Sequence, residues 1–190
     1  MSELVINRLP GKTFRWLAVN ETVLSSFEAG GEGDCVKRVY EIPENQKSDE
    51  PERISFVYGT DAEKKAANES SLHEERPREI ISNEILVKAG KGSESVFVLD
   101  CRSEQLAGKQ IDAFLSLRLQ IEERATVKLI QLHCLQEGMR LVNRIQAECA
   151  DNGRFELVQF FLGNGAFYQD LQCELTGYQS AFGADAAYLI

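Results

Sequence analysis

No apolar run in this chain approaches the roughly 20 residues needed to span a bilayer, so a membrane-spanning helix is not expected. The opening Met1-Ser-Glu-Leu-Val-Ile-Asn-Arg8 has neither a basic leader nor a long apolar core, which argues against a secretory signal. Positive charge is in short supply: 21 Lys and Arg stand against 30 Asp and Glu, for a net charge of −9. That balance disfavours a nucleic-acid or anionic-membrane surface, because both reward clustered cations. Histidine is nearly missing. His73 and His133 alone exclude a histidine-rich cupin centre and argue against a zinc site. The five cysteines are odd in number and include no C-x-x-C pair, which fits a reducing compartment better than a disulfide framework. A cytoplasmic location is expected.

Catalytic signatures are missing too. There is no G-x-S-x-G elbow and no Cys–His constellation with an orienting third group. Neither G-x-x-x-x-G-K-[ST] nor a G-x-G-x-x-G after a strand occurs, and Gly31-Glu-Gly33 is only a fragment of the latter. The expectation is a protein that is not an enzyme.

What the chain does have is self-similarity. Leu117-Arg-Leu-Gln-Ile121 leads through four residues to Thr126-Val-Lys-Leu-Ile130. Ile145-Gln-Ala-Glu-Cys149, 28 positions on, leads through Ala-Asp-Asn-Gly to Arg154-Phe-Glu-Leu-Val158. Leu171-Gln-Cys-Glu-Leu175, a further 26 positions on, leads to Ser180-Ala-Phe-Gly183. Each copy reads strand, turn, strand, and a looser copy lies at Glu84 to Asp100. A unit of this kind cannot bury its apolar face alone, so the copies must stack into a β-solenoid. Leu141, Val142, Ile145 and Cys149 would also suit a helix face, but alignment with the alternating Leu117–Ile121 selects strand.

Ahead of the repeats the texture differs. Phe14, Trp16, Leu17, Val23, Leu24 and Phe27 fall at helical spacing, so Leu9 to Phe27 is expected to be a helix, ended by Ala29-Gly-Gly-Glu-Gly33. Val36 to Ile42 and the alternating Ile54, Phe56 and Tyr58 read as strands, separated by a polar loop from Pro43 to Glu52. The charged stretch from Asp61 to Glu79 reads as either a solvated helix around Ala62 to Glu75 or a mobile loop, and is the candidate linker to the repeats. The chain divides into an N-terminal helical or mixed region with its acidic linker, 1–79, and a repeat body, 80–190.

Three residues invite a metal or thiol reading: Cys134, His133 and Cys101. Imidazole and thiolate are both soft-metal ligands. Adjacent residues on a strand point to opposite faces, however, so His133 and Cys134 would not chelate one ion together. Cys149 aligns with Ile121 and Leu175, and Cys173 with Leu119 and Ala147, where cysteine acts as a small buried hydrophobe. Cys101, at a strand end, and Cys35, in the glycine-rich loop, read as exposed. The aromatics Phe155, Phe160, Phe161, Phe167, Tyr168, Tyr178, Phe182 and Tyr188 gather in the last copies, mostly as core.

Leu9-Pro-Gly-Lys-Thr-Phe-Arg-Trp-Leu-Ala-Val-Asn20 resembles the opening of short SufD-type proteins. Phe155-Glu-Leu-Val-Gln-Phe-Phe-Leu-Gly163, Asp170-Leu-Gln-Cys-Glu-Leu-Thr-Gly177 and Tyr188-Leu-Ile190 resemble the core run of the SufB/SufD family. The resemblance is weak between Pro43 and Arg78. It implies a mainly β chain: a right-handed parallel β-helix preceded by a small N-terminal helical region. It also implies a non-catalytic scaffold for iron–sulfur cluster assembly, with a SufB-like partner and a SufC-like ATPase. No cofactor is bound stably on this reading, although a transient cluster can form at the level of the complex. Family members continue past the equivalent of Ile190, so the resemblance implies either a truncated chain or a natural short relative. The family's functional cysteine and histidine lie in that further part, and no role transfers from them to this sequence; ATPase docking is weakened for the same reason.

Two rival readings remain at this stage. One is a β-solenoid module that binds a protein or carbohydrate, with no part in cluster assembly. The other is a metal- or thiol-dependent enzyme using Cys134, His133 and Cys101. A homodimer is a further expected arrangement.

Overall fold

The computed structural model describes residues 3–6, 22–25, 35–48, 50–59, 79–104, 106 and 108–189. Two short strands, β1 (Glu3–Ile6) and β2 (Thr22–Ser25), pair antiparallel. Ten further strands follow: β3 (Cys35–Ile42), β4 (Glu52–Tyr58), β5 (Glu79–Ala89), β6 (Glu94–Ser103) and β7 (Ile111–Ile121). The remainder are β8 (Thr126–Leu135), β9 (Met139–Cys149), β10 (Arg154–Gly163), β11 (Ala166–Leu175) and β12 (Ala181–Leu189). Consecutive strands alternate between two five-stranded sheets, ordered β11-β9-β7-β5-β3 and β12-β10-β8-β6-β4. Every pairing within these sheets is parallel. The result is the β-solenoid that the repeats predict, and β3 and β4 begin it ahead of residue 80. No helix among the described residues is long and apolar enough to cross a membrane.

The sequence alternation explains the packing. In β8, Val127, Leu129, Gln131, His133 and Leu135 are buried while the residues between them are half-buried. Period two on a pleated strand puts alternate side chains on opposite faces, and here one face lines the tube. Ile145, in β9, is fully enclosed with Leu117 beside it in register. Burying a side chain of this size stabilises by roughly 1.5–3 kcal/mol.

One corner of every coil is built alike. Asn45, Gly92, Arg124, Asn152 and Gln179 all take positive φ, between 55° and 68°. The backbone N–H of Asn45 donates to Lys91 O, Gly92 to Glu123 O, Arg124 to Asp151 O, and Asn152 to Tyr178 O, at 2.8–2.9 Å. Each acceptor immediately precedes the left-handed residue of the next coil. The corners therefore form a hydrogen-bonded ladder along the solenoid. Asparagine and glycine suit this conformation; Arg124 does not, and it occupies the site because the ladder requires the turn.

Outward charges tie neighbouring coils together as directly opposed pairs: Lys37–Glu84, Lys88–Glu41, Asp112–Arg140 and Arg144–Asp170. The exposed pairs contribute little. The Asp112–Arg140 fork is mostly buried, with Arg140 Nε 2.6 Å from Asp112 Oδ1.

Two expectations need correction. The helix placed at Leu9 to Phe27 is contradicted at 22–25, which form β2 by pairing with β1; the rest of that span lies outside the described residues, as does the linker from 61 to 78. The last repeat falls one residue later than the sequence spacing predicts. Arg154 pairs with Ala181, not Ser180, because the final corner, 176–180, is a residue longer than 150–153.

Candidate functional site

The three metal or thiol candidates do not converge. His133 points into the tube and is 1% exposed, whereas Cys134 next to it faces outward between Arg102 and Leu162. Cys101 is buried on β6, beside His133 in register and against Tyr58, which corrects the expectation of an exposed thiol. Its strand runs on to Ser103, so Cys101 falls at an inward step of the alternation rather than at a frayed end. Cys35 is exposed, as expected. Among the described residues, no three His, Cys, Asp or Glu side chains gather to hold a metal ion.

The electrostatics of these groups follow from burial. Desolvation pushes the Cys101 thiol far above the ordinary thiol value, and the Asp100 carboxylate nearby adds to the effect. Burial likewise raises Tyr58. Cys149 is pushed up to about 12 by burial, with the Cys173 thiol beside it contributing. His133 is pushed down to about 3 by burial alone. At neutral pH the enclosed thiols are protonated and the imidazole is uncharged, so none is poised as a nucleophile.

A different group of residues does converge. Gln131 and Gln159 are neighbours on β8 and β10, and Asn143 and Gln169 are neighbours on β9 and β11. Asn143 Nδ2 donates to Gln131 Oε1 and to Gln169 Oε1, both at 2.9 Å. Gln159 Nε2 donates to the same two oxygens at 2.6 Å and 2.8 Å. Two donors and two acceptors thus close a ring of four amides across the interior. His133 Nε2 lies 3.4 Å from Gln131 Oε1. Around the imidazole stand Phe161 and Phe167, with ring centroids 5.2 Å and 4.6 Å away, and Tyr188 stacks in turn on Phe161.

This arrangement offers neutral donors and acceptors within an aromatic and aliphatic wall. It can hold a polar neutral guest or fix the register of the coils; it supplies no acid, base or thiolate. The amides escaped the sequence reading because glutamine and asparagine ordinarily mark surface or turns. A signal was there: Gln131 and Gln159 hold the same place in two repeats, and so do Asn143 and Gln169.

Comparison with protein families matches residues 71–190 to the model described as "SUF system FeS cluster assembly, SufBD core domain". That span takes in β5 through β12, including the whole amide ring. No curated protein and no solved structure matches the chain. The family model covers well over half of the 190 residues, on a solenoid of β-strands that the repeats predict and whose coils pair in parallel. The chain belongs to the SufBD core family of the SUF system for iron–sulfur cluster assembly.

Proposed function

We propose that this chain is a non-catalytic scaffold subunit of a Suf-type assembly complex, offering an outer face of its solenoid to a SufB-like partner. The observation that carries the reading is an apolar outer face on the even-numbered sheet. Val98, Ile130 and Val158 form one outward row across β6, β8 and β10. Leu132, Phe160 and Ala187 form the next, and Cys134, Leu162 and Leu189 a third. Phe160 is 40% exposed and Leu162 38%. Apolar rows of this extent mark contact surfaces. Asp100, Arg102 and Asp185 border the rows and give them a polar rim.

The rows are chiefly aliphatic, which supports a protein partner over a carbohydrate. Protonated, buried thiols and a neutral histidine support a role without covalent chemistry. On this reading an iron–sulfur cluster is cargo of the whole complex, which operates in the cytoplasm with a SufC-like ATPase. The chain touches neither nucleic acid nor membrane.

The test is assembly. The purified protein is mixed with SufB-like and SufC-like proteins and followed by size-exclusion chromatography with light scattering. A stable complex with the SufB-like protein is expected, and Phe160→Asp weakens it by about tenfold or more, the effect of losing one well-packed anchor. Absence of any association by the unaltered chain overturns the proposal.

A further inference from the structure

The amide ring consumes one end of each amide and leaves polar atoms over. Gln131 Nε2, Gln169 Nε2, Asn143 Oδ1 and His133 Nδ1 are all buried without a hydrogen-bond partner among the described residues. Gln131 and Asn143 are fully enclosed. Turning over all four amides and moving the imidazole proton exchanges donors for acceptors, yet pairs none of the remaining ends. The surplus is a property of the ring, not of its orientation.

Such a surplus is energetically conspicuous. A buried polar atom without a partner costs roughly 1–3 kcal/mol, and native interiors hold few of them. The coil on one side gives no relief, since the register neighbours of Gln131 and Asn143 there are Leu99 and Leu115. The wall around His133 is Phe161 and Phe167. On the other side Gln169 is only half-buried, and Ala186, the register neighbour of Gln159, is exposed.

From this we infer that the solenoid encloses resident water, at least one molecule bonded to an unpartnered end of Gln131, Asn143, Gln169 or His133. The chemistry of the leftover groups selects the ligand. Two are amide donors, one is a carbonyl acceptor and one is an unprotonated ring nitrogen while Nε2 donates to Gln131. Water both donates and accepts, so it can serve either kind of end. An anion or cation finds no countercharge among these neutral groups. The exposed last coil is the route of exchange, because the opposite direction is closed by leucines.

The inference stands apart from the scaffold reading and is tested separately. A high-resolution crystal structure of the whole chain should show electron density within hydrogen-bonding distance of these atoms. Oxygen-17 relaxation dispersion should report at least one long-lived internal water, removed in a Gln131→Leu/Asn143→Leu double variant that keeps its strand circular dichroism. A dry interior in the crystal, or an ion in that density, overturns the inference. So does unchanged dispersion in a folded double variant. If that variant does not fold, the crystal structure of the unaltered protein decides alone.

Discussion

His133 and Phe161, lateral neighbours on β8 and β10, stack with centroids 5.2 Å apart and planes 8° from parallel. The stack helps bury the imidazole away from bulk solvent, and that burial holds it neutral. Its folded value is pushed down to about 3, against roughly 6.5 for an exposed histidine. Between those values the unfolded chain takes up a proton that the folded chain refuses. This contribution to stability is therefore whole above about pH 6.5 and is lost progressively as pH falls towards 3. The slope it adds is about 1.4 kcal/mol per pH unit. His133→Phe should remove that slope, measured by urea unfolding at a series of pH values. Parallel curves for variant and parent would sink the assignment of a buried neutral imidazole.

The corner ladder makes Arg124 a site of stored strain. Its φ is 59°, where the equivalent coils place Gly92 and Asn152. Asn tolerates the left-handed region better than Arg. Arg124→Asn is expected to raise stability by about 0.5–1 kcal/mol, read from the midpoint of chemical unfolding. The ion pair lost with Glu123 is exposed and worth little.

Gly163, at the opposite corner, has φ of 100°, and a Cβ there would stand 2.3 Å from Leu135 O. Gly163→Ala should destabilise by about 1–3 kcal/mol, the usual scale of a strained backbone position. Gly183 serves as the control: among the described residues an added Cβ meets nothing within 4 Å, and Gly183→Ala should be close to neutral. Equal effects from the two would contradict the corner geometry.

Alternation across β9 gives a sharp contrast between adjacent residues. Ile145 is fully buried and Gln146 is exposed. Ile145→Ala is expected to lose about 2–5 kcal/mol, whereas Gln146→Ala should stay within about 0.5 kcal/mol. Comparable losses would mean that the strand is misregistered or helical.

Cysteine labelling tests the interior directly. Cys35 is exposed, while Cys101 and Cys149 are fully enclosed and their thiols are raised by burial. Maleimide followed by peptide mass spectrometry should modify Cys35 first and reach Cys101 and Cys149 only on unfolding. Rapid modification of Cys101 in the folded protein would contradict its inward placement.

How far the sequence could be read depends on which residues carry the signal. The repeats at 117–130, 145–158 and 171–183 required stacked strands, and the register confirms Cys149 opposite Ile121 and Leu175. The opposite faces of His133 and Cys134 were also legible, since period two is a local property of the strand. The helix at Leu9 to Phe27 failed at 22–25 because helical spacing in a short window does not exclude pairing with a distant strand.

The sequence by itself determined the period of the coils and which side of each strand faces inward, since both follow from local alternation and recurring turns. Only the tertiary structure decided which inward residues meet. The amide ring draws Gln131, Asn143, Gln159 and Gln169 from four strands in two sheets. Their meeting depends on corner lengths and on the opposing sheet. A single added residue, as in the corner at 176–180, shifts every partner that follows. The neutrality of His133 has the same origin, because its aromatic wall is assembled from β10 and β11 rather than from its own strand.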